Sequence, residues 1–291
     1  GLPAEELFRE AEGLCDRLTS LDPSRVLHHR DKLRICQRRA SRLLETGRSP
    51  LEPLRRGLEH LERARALCGG AEAFQEERLD LLWIKADHEL LTGKDPRPTI
   101  RQALGASFRG EEPVEILQVQ ARWEIEHGQD PRPTLDRALQ AARAGMARRE
   151  MFYHHYFLGS SLRLRAHWAA TRGLDPGPDA EAAVGELRKA LDMNPKSLWS
   201  WVESARAFQI LGERASRCGK EPSGAMAHAR EAAERAVRLG PRAHVAWWSL
   251  AAVCLAEAES ALARKRSPET ALAKGEEAIS AALRLNPTRP Q

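Results

Sequence analysis

GLDPGPDAEAAVGELRKALDMNPKSLWSWVESARAFQILGERASRCGKEP, residues 173–222, holds two copies of one short signal, GLDP from Gly173 and GKEP from Gly219, with helix-forming sequence between them. Glycine supplies the left-handed residue that ends a helix, and proline is preset for the first turn of the next. Each signal therefore reads as a helix-turn-helix corner. The corner recurs as GRSP from Gly47, GKDP from Gly93, GQDP from Gly128 and the variant KRSP from Lys265, at successive intervals of 46, 35, 45, 46 and 46 residues. Self-similarity at such a period signals a repeat architecture. A second stop, in which proline closes the other helix of the unit, stands in LDMNP before Lys196, VRLGP before Arg242 and LRLNP before Thr288.

Composition agrees with helix throughout. Ala, Leu, Arg and Glu dominate, whereas Val, Ile, Thr and Tyr are scarce, so intrinsic propensity opposes strand and no sheet is expected. With 42% hydrophobic residues the 291-residue chain can bury a core. Its net charge of +5 comes from basic and acidic residues that alternate along the chain, which reads first as solvated helix faces. Cys15, Cys36, Cys68, Cys218 and Cys254 are odd in number and form no Cys-x-x-Cys pair, which fits a reducing cytoplasm. No apolar run is expected to reach membrane-spanning length, and GLPAEELFREAEGL lacks the pattern of a secretion signal. Beginning at Gly1 and closing on Pro290-Gln291, the chain reads as a piece of a longer polypeptide.

The register of small and large residues around the prolines resembles the tetratricopeptide (TPR) repeat. Backward from Pro241 stand Leu239, Ala236, Ala233 and Ala229; from Pro195, Met193, Ala190, Leu187 and Ala183; from Pro287, Leu285, Ala282, Ile279 and Gly275. Six residues after a proline, at the family's Trp position, come Trp201 with Ser204, Ala205 and Phe208, and Trp247 with Leu250, Ala251 and Cys254; the unit before has His155, Leu158, Gly159 and Leu162. The pattern covers most of residues 150–287 and is looser upstream. Standard units have 34 residues and most units here 46, an excess near two helical turns in one helix and one in the other. The interval from Gly93 to Gly128 stays close to standard. Elongated units with Gly-x-Asp-Pro corners also resemble the helical regions that follow the kinase domain in many bacterial serine/threonine protein kinases.

These resemblances imply an all-α, right-handed superhelical solenoid of antiparallel helix pairs, about six hairpins plus a terminal helix, in a single domain over 1–291. The units fall near 1–46, 47–92, 93–127, 128–172, 173–218 and 219–264, with a capping helix over 265–287. The first helix of each pair would line a concave groove. At the positions that point into that groove in the family stand Tyr153, Tyr156, Ser160 and Arg163; Trp199, Val202, Arg206 and Gln209; and Val245, Trp248, Ala252 and Leu255. Tyr153, Tyr156, Arg163, Trp199, Arg206, Gln209 and Trp248 are the candidate partner-binding residues, because aromatics and arginine dominate protein recognition. Trp201 and Trp247 read as core.

No catalytic or metal constellation is visible in the sequence. His28-His29 and His154-His155 point about 100° apart on a helix and read as structural or surface histidines. Corner glycines are isolated and precede a proline without an amide to donate, so they are caps and not phosphate loops. Gly159-Ser160-Ser161 has no nucleophile elbow, while Glu111-Glu112 and Glu276-Glu277 read as charges favouring early helical turns. The reading is a cytoplasmic, non-enzymatic scaffold without cofactor or metal, which binds a protein or peptide as a regulatory or substrate-recruiting region of a signalling protein. The alternative is a nucleic-acid reader using Arg38, Arg39, Arg55, Arg56, Arg148 and Arg149.

Overall fold

Helix is the regular structure of the described residues, 4–69, 73–106 and 112–286 of a computed structural model, and no strand occurs among them. Expectations about Glu111 and Pro287 lie outside these residues. The helices are α1 Ala4–Leu21, α2 Val26–Glu45, α3 Leu51–Cys68, α4 Gln75–Leu91, α5 Arg97–Gly105, α6 Val114–Glu126 and α7 Arg132–Arg148. They continue as α8 Phe152–Thr171, α9 Gly177–Met193, α10 Leu198–Arg217, α11 Ser223–Leu239, α12 His244–Ala263 and α13 Glu269–Leu285. The short interval between Gly93 and Gly128 is taken up by both of its helices, since α5 has 9 residues and α6 has 13.

Every corner is built alike. Gly47, Gly93, Gly128, Gly173 and Gly219 have φ between 69° and 72°. Each donates its N–H to the carbonyl three residues back, and the next residue donates to the carbonyl five back, as in Gly173 to Ala170 (3.2 Å) and Leu174 to Ala169 (2.9 Å). Two orphan carbonyls of the helix end are thereby satisfied. The proline stands at the N-cap of the following helix, one position ahead of the first-turn site expected for it. The acidic residue before it has a role the sequence reading left unassigned: Asp95, Asp130 and Asp175 each accept the backbone N–H two residues on, at 3.0 Å. The hydrogen bonds from Arg97 hold the Asp95 carboxyl down at about 2.

At the sixth corner Lys265 occupies the glycine's place with φ 55° and makes the same two bonds. A side chain in this region strains the backbone. Lys265→Gly is expected to stabilise the protein by about 0.5–1 kcal/mol, the gain being reduced by glycine's entropy in the unfolded chain. A melting temperature that falls on this substitution would contradict the corner account.

Residues 1–119 and 120–291 form two units. In the first, α2 packs on α1, α3 and α4, and α4 on α5. Leu33, Ala40, Leu54, Leu61, Leu81 and Ile84 make its core. An ion network ties α1 down, with Arg39 reaching Glu5 (2.6 Å), Glu12 (3.2 Å) and Glu52 (3.1 Å), and Arg56 reaching Glu12 (2.6 Å). Arg55 pairs with Glu59. Three of the arginines proposed for a nucleic-acid surface are thus held by acidic neighbours.

In the second unit α8 pairs with α9, α10 with α11 and α12 with α13, each pair joined by a corner. The last helix is therefore the second arm of a hairpin, and the odd helix stands at the front, as α1. Glycine permits the closest approach, because a Cβ on Gly159 would lie 2.5 Å from Leu187 Cγ and 3.2 Å from the Ala183 carbonyl. Glu276 and Glu277 fall in the middle of α13, exposed, and not in an early turn. One membrane expectation needs correcting, since α12 is by length and composition apolar enough to cross a bilayer. Its apolar character reflects packing, with 56% of its most apolar stretch buried and α10, α11 and α13 all in contact with it.

Candidate partner-binding face

The contacts of the second unit set its curvature. First helices touch one another, α8 on α10 and α10 on α12, and each second helix touches the next first helix. No contact of similar extent joins α9 to α11 or α11 to α13 among the described residues. Packed on one side and splayed on the other, such a stack curves with its first helices on the inside. On the outside a cleft of 480 Å³ opens beside α11 and α13, lined by Met226, Arg230, Glu234, Glu257 and Arg264.

The loops leading into first helices are pinned by indoles. Trp201 Nε1 donates to the Pro195 carbonyl and Trp247 Nε1 to the Pro241 carbonyl, both at 2.9 Å. Each ring is half-buried, and both pack against the Ala205, Ala229, Leu250 and Cys254 core. These two tryptophans therefore combine core packing with a loop lock.

The predicted face residues separate into two groups. Tyr153 is 39% exposed and packs on Phe152, His154 and Phe157. Trp199 is half-buried against Val202, Ala243, Val245 and Ala246, and Trp248 is half-buried in the first turns of α12. Gln209 donates to Glu213 at 2.7 Å. Tyr156, Arg163 and Arg206, by contrast, gather around one carboxylate. Glu203 on α10 accepts from Arg163 Nε at 2.7 Å and Arg206 Nη1 at 2.9 Å. Arg163 and Glu203 are both buried, and Arg206 is half-exposed.

Burial works against the ionised Glu203 carboxyl, but Arg163, Arg206 and Arg122 of α6 outweigh it and hold the group below its ordinary value. Arg163 is itself pushed down, first by burial and then by the positive charge of Arg206 and Arg122, against the pull of Glu203. One carboxylate thus takes hydrogen bonds from two guanidinium groups, with the positive charge of Arg122 added to theirs. His167, though exposed, is pushed down by desolvation and by Arg163 and Arg206, and burial likewise raises the Tyr156 phenol. Sequence reasoning missed Glu203, Arg122 and His167. The available signal was Glu203 itself, an acid inside the otherwise small and apolar run Val202-Glu203-Ser204-Ala205.

The histidine pairs take local partners. His29 is buried between His60 (3.3 Å) and the Pro23 carbonyl (3.0 Å), and His155 lies between Glu150 (2.8 Å) and Glu186 (2.7 Å). Among the described residues, no group of three or more His, Cys, Asp or Glu side chains is placed to hold a metal ion.

No protein-family model and no curated protein matches the chain. Among solved structures it is similar to a chain of the human IFIT1 dimer with m7Gppp-AAAA, at 15% identity and a TM-score of 0.48, over 96% of this chain and 67% of that one.

Proposed function

We propose that the chain is a non-enzymatic scaffold of the tetratricopeptide kind, which binds a protein or peptide segment on the inner face formed by α8 and α10. The observation that carries this reading is the charge imbalance where α8 meets α10, with Arg163 and Arg206 sharing the one carboxylate of Glu203. A desolvated site with excess positive charge favours an anionic side chain, and Tyr156 beside it adds contact area. An acidic segment of a partner fits that chemistry. Five cysteines without a disulfide suit a reducing cytoplasm, and a regulatory or substrate-recruiting region attached to a kinase is the setting that the elongated repeat favours.

The test is fluorescence anisotropy on the full chain with three labelled probes, namely a Glu/Asp-rich peptide, a Lys-rich peptide and a single-stranded oligonucleotide. The acidic peptide should bind best, and Arg206→Glu should weaken it at least about tenfold, a change of about 1.4 kcal/mol. Equal binding of both peptides, or no effect of Arg206→Glu, would refute the assignment. Tighter binding of the oligonucleotide, lost on the same substitution, would move the reading to nucleic acid.

A further inference from the structure

The inner side of α8 carries one more titratable side chain, and the repeat shows where it lies. Arg163 and His167 stand one turn apart on α8, and 46 residues later the same two positions of α10 hold Gln209 and Glu213. In α10 that pair is joined by a hydrogen bond of 2.7 Å. Side chains four residues apart on a helix share a face. The exposed His167 ring therefore lies next to Arg163, on the side of α8 that meets Arg206 and Glu203. In the preceding unit, 45 residues earlier, the position of His167 is held by Arg122. One place on three successive first helices thus carries a fixed cation, a histidine and an acid.

The charges around the ring fall into two sets. Arg163 of its own helix and Arg206 of α10 act on it, and both are positive. The neighbouring carboxylates are engaged, Glu203 with those arginines and Glu213 with Gln209. On the opposite side of α8, Arg165 takes Asp136 of α7 at 2.9 Å and Asp179 of α9 at 2.6 Å, while Arg132 of α7 lies 4.7 Å over the Trp168 ring. Residues two apart on a helix point about 200° apart, so the acids around Arg165 face away from the imidazole. Desolvation and the two arginines hold the ring below its ordinary value, which leaves it neutral at neutral pH while the face is empty. An anionic segment seated on Arg163 and Arg206 reverses that balance. Its carboxylates cancel the two charges that oppose protonation and favour the charged imidazole one turn away.

We propose that His167 makes the partner-binding face proton-linked, taking up one proton as an acidic segment docks and becoming a third cation beside Arg163 and Arg206. The inference rests on the acidic-segment reading of this face and adds its regulation. Its sign follows from linkage. The bound state holds the proton more tightly than the free state, so affinity is lowest above the bound-state value, rises as pH falls through it, and levels off below the free-state value. Acidification tightens the grip, and a return to alkaline pH loosens it.

Fluorescence anisotropy on the full chain with the labelled Glu/Asp-rich peptide, at about pH 8 and about pH 5.5, reads the effect while the probe's carboxylates stay ionised. The wild type should bind roughly fivefold more tightly at the lower pH, within the tenfold that a shift of about one pKa unit supplies. His167→Gln should bind with one affinity at both pH values. His167→Lys, whose charge is fixed across this range, should also lose the pH dependence and keep the tighter binding. Calorimetry in phosphate and in Tris at about pH 6.5 should show proton uptake by the wild type that His167→Gln lacks. Equal affinity of the wild type at both pH values, or a pH dependence that survives His167→Gln, would overturn the proposal. Absence of binding at both pH values would instead sink the acidic-segment reading of the face, and the proton linkage with it.

Discussion

Gly159→Ala is expected to destabilise the second unit by about 2 kcal/mol, although alanine is the better helix former. The added methyl would lie 2.5 Å from Leu187 Cγ, the branch point of a fully buried side chain, and 3.2 Å from the Ala183 carbonyl. Neither neighbour is a free end that can swing aside. The helices α8 and α9 must part, and the contacts of Leu187 go with them. Gly185 on α9 is the control, since a methyl there meets nothing within 4 Å and the residue is exposed. Gly185→Ala should therefore gain up to about 1 kcal/mol. Thermal or urea melts of the two variants should move in opposite directions. A shift of the same sign in both would mean that helix propensity, and not close packing, governs these positions.

Glu203→Gln is expected to cost roughly 3–5 kcal/mol, because it leaves the buried Arg163 guanidinium without a counter-charge while Arg206 and Arg122 still repel it. Volume is conserved, so the loss reports charge and not a cavity. Adding Arg163→Met should recover much of it, since it removes the buried charge left without its partner. The pH dependence follows from the direction of the shift. The folded carboxyl lies below its ordinary value, so its stabilising contribution is complete above the unfolded value and is lost as pH falls through the folded one. In Glu203→Gln this part of the acid limb should disappear. A double variant no more stable than Glu203→Gln, or an acid limb left unchanged, would show that the pair is not the source of the effect.

The corners were legible in the sequence because their chemistry is local. Glycine, an acidic or hydroxyl residue and proline lie within four positions, and their dihedral and hydrogen-bond needs are met within the same loop. Even the one exception, Lys265, was marked by its place in the register. The short interval after Gly93 likewise predicted a short hairpin. The site was less legible. Arg163 and Glu203 lie 40 residues apart and meet only because α8 and α10 pack side by side, which no local pattern records. The same packing explains why family-derived groove positions divide as they do. Tyr156 and Arg163 lie on the side of α8 next to α10, whereas Tyr153, a turn earlier, stays exposed. The apolar character of α12 was overlooked because its residues were read one repeat at a time and not as a helix surrounded on three sides.

The joints of the stack carry one more consequence. Indole bonds pin the loops into α10 and α12, and arginines bridge successive corners, with Arg172 Nη2 on the Gly128 carbonyl at 2.6 Å and Arg214 Nε on Asp175 at 2.5 Å. With both kinds of turn clamped, a pull along the molecule has little to unbend inside a hairpin. Compliance is left to the splayed side, where α9, α11 and α13 stand apart. Under load this half of the chain would behave as a coil spring, its stiff windings opening and closing like a fan about the line of first helices.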